Sequence, residues 1–445
     1  MVRSRKQQKK SSEFVEDVDD DTISTCSTSL SSELTVAPKM EQQHDEEALL
    51  EGLIDSLYEK RANTREAALQ GLIRAFTGGV IAEFAELKYE TLSHLYACSV
   101  RRGSASEAAL AARALGLLAL TLGAGDAAEH VFGEASSHLV KVAKFASESA
   151  VRIAAVDSLA ILCFVGSGEN ESTNGVMDVF WQIAKHAGNT RADQTLGIQR
   201  PSSAVKAAAI YSWAVLLSTL PSSMLTQSVQ MSLPTLSSLL EAADLDVQKA
   251  AGEAIALIFE TGSSNEQSIA YVTLDSESFS RPSPSLTVKS RKANEAHVFE
   301  QMKALSVEAG GKGCAKKEKS AQRSSFRELF ASIQGGGCAE TCIKLRHGDI
   351  LRVDTWEKTL QLHALRKVLA EGFQIHMQEN NLLHDIFNFI PRQGKHHSRS
   401  AKEKRLYCSP NSVSNKTRTQ VRNLKRSIAH AGNVGQFGFH ETYAE

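Results

Sequence analysis

A pair of adjacent alanines recurs along the first part of the chain, followed three positions later by a small residue and then by an apolar run. Four clear copies contain Ala67-Ala68, Ala154-Ala155, Ala208-Ala209 and Ala250-Ala251. A weaker copy contains Ala111-Ala112, because Leu115 stands where the small residue is expected. The second alanines of successive pairs are 44, 43, 54 and 42 residues apart.

This spacing predicts an all-α fold, an armadillo/HEAT-like helical repeat solenoid. Such arrays repeat every ~40–47 residues, and each repeat buries its apolar face only by stacking on the next. Small residues allow neighbouring helices to approach closely. The longest interval contains the polar stretch 166–175 and the stretch 188–201, which we interpret as an insertion. An irregular helical bundle with accidental similarity is the less favoured alternative.

Composition divides the chain into five predicted segments. Residues 1–45 are basic, then acidic, then rich in Ser and Thr, and they contain too little apolar surface to offset chain entropy, so we expect a disordered tail. The repeat domain is predicted over 46–333, with an exposed loop at 263–298. A Gly-rich linker (334–342), a small helical C-terminal module (343–391) and a basic tail (392–445) follow.

The C-terminal module has recognisable helix signals. Asp354 or Thr355 is expected to cap a helix that begins near Trp356, and Gly372 to end it. Alternating apolar residues at 373–377 predict a short extended segment. A second apolar helix face follows and stops at Pro391.

Several motifs give the chain a resemblance to the interferon-related developmental regulator family. They are Gln322-Arg323-Ser324-Ser325-Phe326-Arg327, His347-Gly348-Asp349, Asp354-Thr355-Trp356 and the stretch from His376 to Phe387. The resemblance implies a large helical-repeat domain followed by a short C-terminal domain. It also implies a non-enzymatic regulator, since family members have been linked to transcriptional co-regulation and to ribosome association with repression of translation.

Basic residues are concentrated beyond the C-terminal module. Between Lys395 and Ser427 the chain has ten Lys or Arg and one acid, Glu403, although its net charge is −1. A predicted amphipathic helix at 414–428 separates basic from apolar positions. We expect nucleic-acid contacts from Lys404, Arg405, Lys416, Arg418, Arg422, Lys425 and Arg426. Because few aromatics interleave with these charges, backbone binding to structured RNA is favoured over base stacking. A disordered basic tail or a nuclear import signal is the alternative.

Other classes of function lack support in the sequence. Because no 18-residue apolar run and no signal core occur, we expect neither a membrane partner nor secretion. The seven scattered cysteines indicate reduced thiols. Cys338, Cys342 and His347 lack a fourth zinc ligand, and we expect no metal, cofactor, small-molecule substrate or catalytic activity.

Two functional hypotheses remain from the sequence. The first is a scaffold that binds ribosomes or structured RNA through its basic end and represses translation. The second is a nuclear transcriptional co-regulator that holds protein partners in the groove of the solenoid. Together they predict a protein found in the cytoplasm and the nucleus.

Overall fold

A computed structural model describes residues 37–168, 170–186, 198–221, 232–273, 286–307, 316–335, 338 and 340–391. The chain divides into two compact units, Met1–Leu49 and Leu50–Glu445. In the first unit, described residues 37–49 belong to helix α1, Ala37–Leu57, although we expected a disordered tail up to residue 45. That part of the expectation is wrong because the segment, despite its polar composition, leads directly into the apolar end of the same helix.

The second unit begins with an array of helices. After α1 come α2 (Ala62–Gly78), α3 (Ala82–Arg102), α4 (Ala105–Leu122), α5 (Asp126–Phe145), α6 (Ser149–Gly166), α7 (Asn170–Lys185), α8 (Ser203–Leu217) and α9 (Leu245–Thr273). Residues 232–240 are also helical. The array continues with α10 (Leu286–Val307) and α11 (Lys316–Gly335), and α11 packs on both α9 and α10.

The helices of the array lie in two rows. Helices α2, α4, α6, α8 and α9, which carry the alanine pairs, stack one on the next and are called the alanine row. Helices α3, α5 and α7 form an outer row, and each packs against the alanine row. The second alanines of all five pairs are completely buried. The predicted all-α repeat solenoid is therefore confirmed.

Helices of the two rows differ in how their apolar residues are distributed. In α5 the buried residues form one stripe, Ala128, Val131, Ala135, Leu139 and Ala143. By contrast, α4 and α6 are apolar on nearly all sides, as expected of helices packed on every side. Length and composition alone would allow either to cross a membrane, but 67% of each is buried inside the protein.

Three of the alanine pairs are preceded, two positions earlier, by a polar residue. Its side chain donates hydrogen bonds to backbone carbonyls of the segment before it. Nε of Arg152 donates to the carbonyl oxygen of Ala143, in the last turn of α5, at 2.8 Å. Arg65 and Gln248 likewise donate to carbonyls five or six residues earlier. These bonds satisfy carbonyls that have no partner within their own segment. In these three repeats, a hydrogen-bonded polar side chain beside the alanine pair therefore fixes the preceding segment to the helix.

In the C-terminal part of the array, the observed helix bounds differ from two of the predicted boundaries. The predicted loop at 263–298 is wrong where α9 extends to Thr273 and where α10 begins at Leu286. Ser and Asn are tolerated when a helix is already formed, whereas Pro282 and Pro284, which break helices, lie at 274–285, outside the described residues. The predicted linker 334–342 overlaps the end of α11 and the start of a strand.

The C-terminal module contains a hairpin and three helices. Strands β1 (Thr341–Lys344) and β2 (Ile350–Val353) pair antiparallel, with Ile343 opposite Leu351. Gly348 closes the turn at φ 84°, a conformation that favours glycine. Helices α12 (Trp356–Leu369), α13 (Phe373–Glu379) and α14 (Asn381–Phe387) follow. The predicted extended segment 373–377 is wrong, because α13 buries Phe373 and Met377 four positions apart on one face.

Candidate functional site

Residues 340–391, here called the clasp, lie along the alanine row. Helix α12 contacts α9, α8, α6 and α4, and α13 contacts α2. The clasp therefore runs back along the array in the direction opposite to the order of the helices. The alanine row is packed between the outer row and the clasp, which explains why α4 and α6 are apolar on all sides.

The first turn of α12 is capped both from within and by the array. Thr355, one of the two predicted caps, accepts a hydrogen bond from the backbone N–H of Lys358 at 3.3 Å. A carboxylate oxygen of Glu260 in α9 accepts from the N–H groups of Trp356 and Glu357 at 2.8 and 3.3 Å. Burial raises the pKa of Glu260, and these two hydrogen bonds oppose that rise. A negative charge at the start of α12 stabilises the helix in this position.

Polar contacts continue along α12 to its last turn. Nε2 of Gln361 donates to the hydroxyl oxygen of Ser218 at 3.0 Å, and Nζ of Lys367 lies 2.7 Å from a carboxylate oxygen of Asp157. The guanidinium of Arg113, on α4, donates to the carbonyl oxygen of Val368 at 3.2 Å. A cation from the array therefore satisfies a carbonyl that the end of α12 leaves open.

Gly372 has a different role from the predicted helix cap. Ala370, with φ 49°, follows the last residue of α12 and changes the direction of the chain. Gly372 lies so close to the end of α2 that an added Cβ would be 2.2 Å from the carbonyl oxygen of Thr77. The prediction that Gly372 caps α12 is wrong; a close approach of two backbones requires glycine there.

His376 and Asn380 attach the clasp to the ends of two helices of the alanine row. Nε2 of the fully buried His376 lies 2.7 Å from the carbonyl oxygen of Phe76, in the last turn of α2. Nδ2 of Asn380 donates to the carbonyl oxygen of Leu120, in the last turn of α4, at 2.8 Å. Helices leave their last four carbonyls without internal partners. The two side chains therefore supply partners to equivalent ends of neighbouring repeats.

A pocket of about 410 Å³ lies between α12 and the alanine row. Its polar lining includes Asp157, Tyr211, Lys249, His363 and Lys367. The adjacent carboxyl of Glu253 is only 4% exposed and lies beside Tyr211. Burial raises the pKa of Glu253 to about 7, although Lys249 and Tyr211 oppose the rise.

The residues predicted to bind nucleic acid are not among those described. Lys404, Arg405, Lys416, Arg418, Arg422, Lys425 and Arg426 all lie beyond residue 391. Sequence reasoning also missed the clasp contacts of Arg113, Glu260, His376 and Asn380. Over the described ranges, no group of three or more His, Cys, Asp and Glu side chains is arranged to hold a metal ion.

Sequence comparisons identify relatives over most of the chain. The family model described as Interferon-related developmental regulator matches residues 22–334, and a second, Interferon-related protein conserved region, matches 380–429. Mouse interferon-related developmental regulator 2 is 27% identical over 351 residues, which cover 79% of this chain and 74% of the relative. Human interferon-related developmental regulator 1 is 26% identical over 402 residues, 89% of this chain and 83% of the relative.

Solved structures give weaker similarities. A computationally designed armadillo repeat protein covers 63% of this chain and 99% of its own, with 18% identity and a TM-score of 0.38. Importin beta covers 77% of this chain and 37% of its own, with 16% identity and a TM-score of 0.44. The stacked helices of the alanine row and the outer row themselves establish the repeat fold. The family matches, with the repeat array and the clasp, show that this chain belongs to the interferon-related developmental regulator family.

Proposed function

We propose that this chain is a non-enzymatic regulatory scaffold that binds ribosomes or structured RNA through its basic C-terminal end and represses translation. One observation carries the proposal. The C-terminal family match, 380–429, begins at the buried anchor Asn380 and extends through the basic residues up to Arg426. Asn380 and the basic residues up to Arg426 therefore belong to one family match. The first residue of that match is hydrogen-bonded to helix α4 of the array.

Anchoring favours binding because it reduces the freedom that the basic segment must lose. Asn380 and the buried side chains of Leu383 and Phe387 fix the chain just before the segment begins. Preorganised contacts lose less conformational entropy on binding than contacts made by a free tail. We therefore assign the array and clasp a positioning role, and the basic side chains the contacts with phosphates.

The contacts with phosphates make a quantitative prediction about salt. Each phosphate neutralised by Lys or Arg lowers log K by ~0.9 per tenfold rise in salt on duplex DNA and by ~0.7 on single strands. Five or six contacts would therefore give a slope of roughly −4 to −5. A partner bound mainly through apolar surface would show a much smaller dependence.

Sucrose-gradient sedimentation of a cell lysate tests the proposal. We expect the full-length protein to sediment with ribosomes at low salt, and RNase or high salt to release it. Reversing Arg418, Arg422 and Lys425 to Glu should abolish co-sedimentation. The matched control reverses three exposed cations of the described surface, Arg74, Lys344 and Arg346, and should leave co-sedimentation unchanged. Equal losses in both variants, or none in either, would contradict the proposal.

The alternative, a nuclear co-regulator that binds proteins in the solenoid groove, makes a different demand on the structure. The clasp covers the alanine row from α9 to α2, so a partner on that face would have to displace it. The test of this alternative is whether the wild type and the variant with Arg418, Arg422 and Lys425 reversed to Glu capture protein partners equally. For the favoured proposal we place the protein in both cytoplasm and nucleus, and fluorescence of a tagged chain with nuclear export blocked tests that placement.

A further inference from the structure

Cys98 lies in a constellation of side chains on the outer row, away from the clasp. Nε2 of His94, one turn earlier on α3, is 3.6 Å from Sγ of Cys98. Nδ1 of the same ring is 3.2 Å from a carboxylate oxygen of Glu134, on the neighbouring helix α5. Nη2 of Arg101 is 4.0 Å from the sulfur. A thiol, a base and an orienting carboxylate therefore follow one another within contact distance.

The arrangement determines which ring nitrogen carries the proton. A carboxylate accepts hydrogen bonds, so Glu134 selects the tautomer of His94 with the proton on Nδ1. Nε2 then has a free lone pair directed at the thiol of Cys98. A nucleophile beside a base that a third group orients is the general pattern of an activated side chain. The guanidinium of Arg101 stabilises negative charge that develops on the sulfur.

A neighbouring pocket of about 470 Å³ shares Arg101 with this constellation. Its other lining residues are His138, Lys141, Val142, Phe145 and Ala146. Burial lowers the pKa of His138, and the charges of Arg101 and Lys141 lower it further, whereas the nearby carboxylate of Glu134 opposes the shift. Among the described residues, those that line the pocket include two cations, Arg101 and Lys141, and no carboxylate. Phe145 is 52% exposed and supplies an apolar surface. This combination suits a small anion with an apolar body.

We propose that Cys98 is a thiol-modification site that exchanges with small anionic disulfides bound at this pocket. In the exchange, the thiol proton passes to Nε2 of His94 while the sulfur of Cys98 attacks one sulfur of the disulfide. A new S–S bond forms and the old one breaks. The departing thiolate takes the proton from His94, so the products are a mixed disulfide on Cys98 and one free thiol.

Other described cysteines provide internal comparisons. Cys163 is buried, and burial raises the pKa of its thiol to about 11. Burial also raises the pKa of Cys338, which lies against Thr359. Cys342 is more exposed than Cys98, but its thiol faces a carboxylate oxygen of Glu340 at 3.7 Å. Accessibility alone would therefore make Cys342 react first, whereas activation would favour Cys98.

The test compares two disulfide reagents on the reduced, full-length protein. The anionic dithiobis(nitrobenzoate) and the neutral dithiodipyridine are added separately, and peptide mass spectrometry follows each cysteine over time. We expect Cys98 to react about tenfold faster than Cys342. This factor is smaller than the rate increase that a general base gives in an enclosed active site, because solvent reaches the site around Cys98. The ratio of the rate at Cys98 to the rate at Cys342 should be larger for the anionic reagent, and it should fall as salt is added.

Variants separate the parts of the constellation. His94→Gln should lower the rate at Cys98 with both reagents, since the ring that accepts the thiol proton is removed. Arg101→Gln should lower the rate with both reagents and more strongly with the anionic one, whereas Arg102→Gln, which removes the same charge at the next position, should have a smaller effect on both. The proposal is overturned if Cys98 reacts no faster than Cys342, or if the His94 variant retains the wild-type rate.

Discussion

The ring of His376 is hydrogen-bonded to the carbonyl oxygen of Phe76, which precedes it by 300 residues, at 2.7 Å. Because a carbonyl only accepts, Nε2 of His376 is the donor, and Nδ1 is left to accept from the amide of Asn380 at 3.3 Å. Burial lowers the pKa of His376, so the ring is neutral in the folded protein at physiological pH. One ring nitrogen therefore attaches the clasp to the array directly, and the other binds Asn380, whose amide donates to Leu120 of the array.

Replacing His376 by Leu tests this attachment. The variant leaves the carbonyl of Phe76 buried without a donor, and we expect the free energy of unfolding to fall by about 2–3 kcal/mol. Urea denaturation followed by circular dichroism measures the change. Glu371→Ala, in the exposed turn before α13, is the control and should change stability by less than about 0.5 kcal/mol. A variant as stable as the control would show that the hydrogen bond contributes nothing.

Two glycines, Gly372 and Gly133, are expected to respond in opposite directions to the same substitution. Alanine at Gly372 would place a methyl group against the backbone of Thr77, and we expect a loss of about 2–3 kcal/mol in stability. Alanine at Gly133, in the middle of α5, meets no atom within 4 Å and should stabilise the helix by about 0.5–1 kcal/mol. Thermal unfolding of both variants checks the prediction. Its critical result is the sign of the difference in melting temperature: a gain at Gly372 would rule out the close approach.

The alanine pairs predicted the solenoid because close packing between neighbouring repeats depends on small residues at a regular spacing. Such packing is encoded locally and repeats along the chain, so one sequence reveals it. The cover formed by the clasp is different, since Gly372 and His376 meet partners some 300 residues away. The spacing of residues along the chain therefore does not predict these long-range contacts.

One sequence signal does point to the cover, although it does not identify it. Helices α4 and α6 are apolar on faces that a two-row solenoid would leave open to solvent. A helix apolar on all sides requires burial on all sides. The motif from His376 to Phe387 is one of the four that give the family resemblance, and the contacts with Phe76 and Leu120 explain why His376 and Asn380 occur in it.

Glu253 makes the stability of the protein depend on pH. Burial raises the pKa of Glu253 to about 7 in the folded protein, compared with ~4.3 for an unperturbed Glu in an unfolded chain. The stability associated with its protonated form is therefore complete below pH ~4.3 and is lost as the pH rises towards 7. Glu253→Gln remains neutral throughout. We expect its stability relative to the wild type to increase by about 2–3 kcal/mol between pH 5 and pH 8.

The difference between variant and wild type is the quantity to measure, because other groups titrate in the same range. Tyr211, Lys249 and His363 face Glu253 from three different helices, and burial lowers the pKa of His363. Their contributions largely cancel when urea unfolding of the two proteins is compared at each pH. Glu371→Gln removes an exposed carboxylate from the clasp and should give a flat difference. An equally flat difference for Glu253→Gln would mean that the carboxylate is already ionised at pH 5, and that water or a cation reaches it beneath α12.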